Sequence, residues 1–230
     1  DFNEKLYAVG RIPGSFMRRE GRASEKATLV SRMIDRQIRP FFPSDMRNDV
    51  TIMCTVLSVN HDHSPEVAAM IGTSVALSIS DIPWNGPIVG LQMGYANGEY
   101  IICPNSEQRK ESILTLTVAG SAEKVVMIEA GAKEVSDDDM FKAIMMAHAV
   151  IKQLLVFIRS IVAEVGKPKF TYESGELDHD MFDEIFAYCE ERVMEALDTD
   201  DKNVRDAKMQ PIMDDIVATF EEKYENIKTI

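Results

Sequence analysis

The chain has 230 residues, 45% of them hydrophobic and 27% charged, an ordinary globular composition with room for one large domain or two small ones. A formal charge of −13 argues against indiscriminate coating of nucleic acid, which takes a basic domain. Cys54, Cys103 and Cys189 are scattered with no C-x-x-C, so neither a disulfide framework nor a cysteine zinc site is expected.

No apolar run reaches the length of a membrane span and no signal peptide is visible, so a cytoplasmic protein without a membrane partner is expected. Asp1 opens in mid-pattern without Met, as a piece of a longer chain would. Charge is segregated: Arg11, Arg18, Arg19, Arg22, Lys26, Arg32, Arg36, Arg39 and Arg47 crowd the start, and the chain turns acidic from about Tyr172 onward. A basic patch on an acidic body suits a strand threaded through a confined path.

Gly14 to Arg22 reads as a Gly-flanked loop carrying Phe16, Arg18 and Arg19. Ser24 to Phe42 reads as a helix on which Arg32, Arg36 and Arg39, at i, i+4 and i+7, share one stripe. Ala27, Val30, Ile34, Ile38 and Phe41 lie opposite, toward a core. Three guanidinium groups on one face repel each other, with Glu25 and Asp35 as partial relief, and their donor forks fit phosphate two bonds at a time. Loop and stripe together predict a grip on a phosphate backbone.

Asp49 to Val59 predicts a buried strand. Ser64 and Pro65 open a helix running to Ile79, whose small residues Ala68, Ala69, Gly72, Ser74 and Ala76 predict close packing against a neighbour. Asn97-Gly98 predicts a hairpin between Ile88–Tyr95 and Glu99–Cys103, and Ala119-Gly120-Ser121 a second between Ile113–Val118 and Lys124–Ala130. Ser136 and Asp139 cap a long helix with Phe141, Ile144, Met145, His148, Ile151, Leu155, Ile158 and Val162 as its buried stripe, closed by Gly166 and Pro168. Met140, Met145 and Met146 are expected to fill core, His148 to be a satisfied core histidine, and Trp84 to pack a turn. His61-Asp62-His63 reads as a loop before a helix cap, since two histidines without a third partner do not make a metal site. Two helices follow. One carries Phe182, Ile185, Phe186, Cys189, Val193 and Leu197 on its apolar side; the other carries Met209, Ile212, Met213, Ile216, Val217, Phe220 and Tyr224, with Pro211 as a start or kink.

The stretches Gly10 to Arg22, Ser31 to Pro40, Ala69 to Ser78, Asp81 to Ile88 and Val118 to Gly120 together resemble the polynucleotide phosphorylase family, specifically its first RNase PH-like core domain followed by its helical domain. The resemblance implies an α+β fold: a two-layer RNase PH-like domain over residues 1–169, with a left-handed βαβ crossover and its N-terminal strands missing. A small, incomplete all-α domain over residues 170–230 would follow. It implies a phosphorolytic 3′–5′ exoribonuclease that degrades RNA with inorganic phosphate to nucleoside diphosphates and can run in reverse. It further implies a homotrimeric ring, single-stranded RNA as partner and Mg²⁺ as the cofactor of the full-length enzyme, with the Mg²⁺ ligands outside this chain.

In the family, the loop written here Phe16-Met17-Arg18-Arg19 constricts the channel and usually has a second aromatic where Met17 stands. Arg32 and Arg36 match positions that reach toward a composite active site. The copy that carries the family's chemistry has an Asp-x-Asp-x-Lys pattern where this chain has Ile113, Thr115 and Thr117, and a serine triplet where it has Ser64, Pro65 and Glu66. Threonine and isoleucine supply no carboxylate for Mg²⁺, and Glu66 brings negative charge to the place of phosphate. The expected RNA-binding residues are therefore Phe16, Arg18, Arg19, Arg32, Arg36 and Arg39, with no catalytic and no metal-ligating residue, and the isolated chain is expected to be inactive. Other readings are a non-catalytic RNase PH-like scaffold of an exosome-type ring, a single-copy RNase PH, and a regulatory domain that binds a small anion.

Overall fold

Ser24 starts the first long helix as expected: its hydroxyl accepts the Ala27 N–H at 3.1 Å, and α1 (Glu25–Ile38) follows. In the computed structural model, residues 1–12, 23–60, 62–176 and 178–224 are described, so Phe16, Arg18 and Arg19 lie outside the described residues, as does His61. α1 lies between β1 (Phe2–Glu4) and β2 (Cys54–Val56), which pair in parallel and therefore need such a crossover. Ala27, Val30, Ile34 and Ile38 are buried, but Phe41 is only partly so, because Pro40 tightens residues Arg39–Phe41 into a 3₁₀ turn and breaks the helical phase.

The expected buried strand over residues 49–59 is reduced to the three residues of β2. Met53 and Leu57 are 69% and 66% exposed, because β1 covers only one side of so short a ladder. α2 (Pro65–Ile79) begins at Ser64, and its Met70, Thr73, Ser74 and Leu77 are buried. Its Ala68–Gly72–Ala76 face does not meet a neighbour among the described residues; it borders an open groove along β2.

β3 (Val89–Ala96) and β4 (Glu99–Ile102) form the expected hairpin, with Asn97 at φ 54° and Gly98 at φ 81°, the two left-handed positions of its tight turn. A short helix unforeseen in the sequence, α3 (Ser106–Glu111), is held by a reciprocal capping box between Asn105 and Gln108. β5 (Leu114–Gly120) and β6 (Val125–Ala132) complete an antiparallel sheet of order β4-β3-β5-β6, and their turn lies over residues 121–124, slightly later than expected.

Ser136 caps α4 (Asp137–Val165). Its buried face is Ala143, Ala147, His148, Ile151, Leu155 and Ile158, packed on Val89, Leu91, Met93, Leu114, Leu116 and Val118 of the sheet. The expected stripe was partly wrong. Phe141, Met145 and Met146 are 64%, 49% and 40% exposed, because the helix is apolar on both sides and periodicity alone picked the wrong edge. The expectation that nothing reaches membrane length is corrected too: α4 is long and apolar enough by length and composition, but its inner face is spent on the sheet. Gly166 closes α4 in an extended conformation, φ −66°, instead of a left-handed one; a Cβ there would lie 2.4 Å from the Val162 carbonyl oxygen.

A second cluster joins Phe2, Ala27, Val30, Ile34, Ile38, Met70, Leu77, Trp84 and Ile88, so the first unit has two cores, and α2 packs on β3 and beside α4. The chain stays on this unit past Lys169. The Lys169 ammonium donates to the carbonyls of Leu77, Ser78 and Ser80 at 3.0, 3.2 and 2.7 Å, and Tyr172 and Ser174 each donate to Asp45 at 2.7 Å. Unit one thus spans Asp1–Ser174 and unit two Gly175–Ile230.

In unit two, α5 (His179–Leu197) and α6 (Lys202–Phe220) start at Asp178 and Asp201, whose carboxylates accept the first free N–H groups. Pro211 lies inside α6. The helices meet through Arg192, which donates to Asp215 at 2.6 Å, Tyr188, which donates to the same carboxylate at 2.9 Å, and an edge-on Tyr188–Phe220 contact. Phe182 and Phe186, expected on the packing side, instead stack on each other and are about half exposed.

Candidate nucleic-acid interface

The basic stripe lies on the outer side of α1, with Arg32, Arg36 and Arg39 all exposed and spread over about 10 Å of helix axis. Its anchor is below: the Trp84 indole N–H donates to the Ile38 carbonyl at 3.1 Å, and the ring packs against Phe41 and Phe42. That bond satisfies one of the carbonyls a helix C-terminus leaves free and fixes the end that bears Arg36 and Arg39. Trp84 was expected only to pack a turn; the role follows from a contact 46 residues apart, which no local pattern reveals.

The three arginines are not equivalent. Arg39 is engaged by Asp35: Nε donates at 3.1 Å, and Nη2 at 2.8 and 2.7 Å to the two carboxylate oxygens. The same hydrogen bonds, with the attraction behind them, raise the Arg39 pKa further above its ordinary value. Arg36 reaches the sheet, where Nη2 donates to the Ile128 carbonyl at 3.4 Å and lies 3.8 Å from Glu129. Arg32 makes no hydrogen bond or ion pair among the described residues, and with Arg39 it lines an open cleft of about 640 Å³ whose polar wall also includes Ser31, Asn48, Thr51 and the acidic residues Asp1, Asp35 and Asp49. The structure therefore brings Arg32 and Arg39 to one cleft and turns Arg36 toward β6.

Lys26, from the same basic segment, is paired with carboxylates of its own chain. It sits 3.2 Å from Glu4 and 2.9 Å from Glu66, tying the end of β1 to the starts of α1 and α2. Burial disfavours its charge, but the bonds and attraction from Glu66 and then Glu4 outweigh this and raise its pKa. Glu66, in the first turn of α2, thus puts a buried carboxylate with its own counter-charge at the helix end where phosphate would otherwise be favoured.

Thr115 and Thr117 point to the face of the sheet opposite α4; Thr117 is flanked by Gln92 on β3 and Glu129 on β6. Glu129 is the one carboxylate beside it on these strands, and it already faces Arg36. Among the described residues no three His, Cys, Asp or Glu side chains converge, so these residues do not fit Mg²⁺. His148 is 7% exposed and its Nε2 lies 2.9 Å from the Ser121 carbonyl oxygen, the satisfied core position expected.

Comparison with known proteins matches residues 1–83 to domain 1 and residues 86–150 to domain 2 of the 3′ exoribonuclease family. The break between the two matches falls beside Trp84, a few residues before the chain passes from one core to the other between Ile88 and Val89. The polyribonucleotide nucleotidyltransferase of Ruminiclostridium cellulolyticum is 52% identical over 229 residues, covering 100% of this chain and 33% of that protein. That of Streptococcus gordonii is 47% identical over 224 residues, covering 97% and 31%. The crystal structure of rice (Oryza sativa) Rrp46 aligns with a TM-score of 0.52 at 17% identity, over 61% of this chain and 67% of that one, a likeness of fold alone. The chain spans about a third of the length of the curated relatives it matches.

Proposed function

Because the chain belongs to the 3′ exoribonuclease family, we propose that it forms part of a polyribonucleotide nucleotidyltransferase that degrades RNA phosphorolytically from the 3′ end. In that reading, inorganic phosphate releases nucleoside diphosphates, the reaction can run in reverse, and these residues contribute RNA binding while the chemistry and its Mg²⁺ lie elsewhere in a longer, cytoplasmic, trimeric enzyme. The observation that supports it is Glu66, paired with Lys26 in the first turn of α2, together with the uncommitted Arg32 on the exposed face of α1. A carboxylate in the first turn of α2 repels phosphate, whereas Arg32 presents an uncommitted guanidinium fork to a polyanion. Phe16, Arg18 and Arg19, which enter the reading from the sequence, would extend the grip from the segment before α1.

The test is titration of the chain with single-stranded RNA at several salt concentrations. Loss of one phosphate contact in Arg32→Ala makes the slope of log affinity against log salt shallower by about 0.7. A slope unchanged by Arg32→Ala refutes its assignment, and diphosphate release by the isolated chain with phosphate and Mg²⁺ refutes the non-catalytic role. The cleft beside Arg32 supports a second reading, capture of a small anion. Binding of a mononucleotide as tight as that of an RNA oligomer would favour it.

A further inference from the structure

α1 supplies part of the lining of the Arg32 cleft, and most of the rest comes from the segment Phe42 to Cys54. Met46, Asn48, Asp49 and Thr51 belong to that second wall. Little holds it in place. No backbone N–H from Asn48 to Met53 makes a hydrogen bond among the described residues, and the ladder of β2 begins only at Cys54. At the other end is a tight turn, in which the Met46 N–H donates to the Pro43 carbonyl at 3.2 Å and Arg47 Nη1 to the Ser44 carbonyl at 2.7 Å. Asp45 stands in this turn. Tyr172 donates to one of its carboxylate oxygens and Ser174 to the other, each at 2.7 Å. These bonds, Tyr172 first, hold the Asp45 carboxyl below its ordinary value, and the bond to Asp45 raises the Tyr172 hydroxyl above its own, as a charged acceptor does. The chain reaches Asp45 already fixed, since the Lys167 and Phe170 N–H groups donate to the carbonyls of Ile79 and Asp81 at 3.0 and 2.8 Å. One residue past Ser174, unit two begins.

We infer that Asp45, Tyr172 and Ser174 form a clasp that sets the second wall of the Arg32 cleft, so that the chain leading into unit two governs how firmly RNA is held there. The RNA half of this rests on the reading of the cleft given above; the clasp itself does not. Asp45 precedes Met46 directly, and no regular structure intervenes before β2. Releasing its carboxylate therefore frees one end of the wall while β2 keeps the other. Asn48 and Thr51 then lose their fixed places in the cleft, and a bound polyanion has to order them again. Re-ordering a short segment and its side chains weakens binding by about 2- to 10-fold. The clasp residues touch no phosphate in this scheme. They are positioning residues, and Arg32 keeps its contact whether the clasp is open or shut.

The test combines Tyr172→Phe with Ser174→Ala, which removes both donors and changes no charge, so the field of the protein on RNA stays the same. Methyl NMR of the methionine-labelled chain, without RNA, reads Met46 in the wall, its resonance assigned by its loss in Met46→Leu. The expected result is a shifted Met46 resonance with that of the buried Met70 unmoved. In an Asp45→Ala background the same two changes should shift Met46 no further, because the acceptor is already gone. Titration with a single-stranded RNA oligonucleotide should then show affinity lower by about 2- to 10-fold and an unchanged slope of log affinity against log salt, since order is lost and no phosphate contact is. Tyr188→Phe, which removes a donor to Asp215 in unit two, is the control and should leave both readouts at wild type. A Met46 resonance that does not move, additive effects in the Asp45→Ala background, unchanged RNA affinity, or an altered slope overturns the proposal. Absence of salt-dependent RNA binding by the wild-type chain refutes the reading of the cleft instead, and the Met46 resonance still decides whether the clasp sets the wall.

Discussion

Removing a carboxylate from the basic stripe should strengthen RNA binding. Asp35 occupies two of the three nitrogens of Arg39 through contacts of 3.1, 2.8 and 2.7 Å, and it places a negative charge among three positive ones. Asp35→Asn keeps the shape and a neutral acceptor but removes the charge, so Arg39 is freed and the local field becomes more positive. One additional phosphate contact steepens the salt slope by about 0.7, so raising salt four-fold should cost the variant about 2.6-fold more affinity than wild type. Fluorescence anisotropy with a labelled single-stranded oligonucleotide reads both affinity and slope. Thermal stability should hardly move, since an exposed pair contributes little and an acid in the last turns of a helix opposes its dipole. The control is Arg39→Ala, which should leave the wild-type slope nearly unchanged because Asp35 already holds that side chain. Weaker binding by Asp35→Asn, or an unchanged slope, refutes a stripe that works by uncommitted charge.

Lys26→Met leaves the buried Glu66 carboxylate without its counter-charge and should cost about 1–3 kcal/mol in urea denaturation. Because the folded Lys26 pKa is raised above its ordinary 10.5, the contribution is complete below that pH and fades as pH rises through the higher folded value; loss on acidification from neutral pH to 6 would contradict the assignment. Trp84→Phe keeps the ring packing on Phe41 and Phe42 but leaves the Ile38 carbonyl unbonded, for a loss of about 1–2 kcal/mol. Lys169→Met removes three donations to the end of α2, and hydrogen exchange should show that helix's last turn opening faster while α4 is unchanged. Phe141→Ala should cost under about 1 kcal/mol, where a core phenylalanine would cost about 3–5 kcal/mol.

How far the sequence reaches depends on how far apart the interacting residues lie. Ser24, Ser136 and Asn97-Gly98 act within four residues of themselves, and their caps and turn are where they were expected. The Asp35–Arg39 pair is local too, at i, i+4, and Asp35 was legible as relief for the stripe, though not the completeness of its hold. α4 marks the limit of periodicity: a helix apolar on both sides has two candidate faces, and only the sheet decides that Ala143 and Ile158 go in while Phe141 stays out. Arg36 and Glu129 come together only once α1 is set against the outer strand, and Lys26 and Glu66 only once two helix starts meet, so neither pair is written in any local pattern. The consequence is chemical as well as structural. Three arginines equivalent by spacing become one clamped by its neighbour, one drawn to a strand edge, and one, Arg32, left to meet a ligand. A polyanion bound here should therefore lose most affinity on substitution of Arg32, the middle of the helix and not the end where the charges look densest.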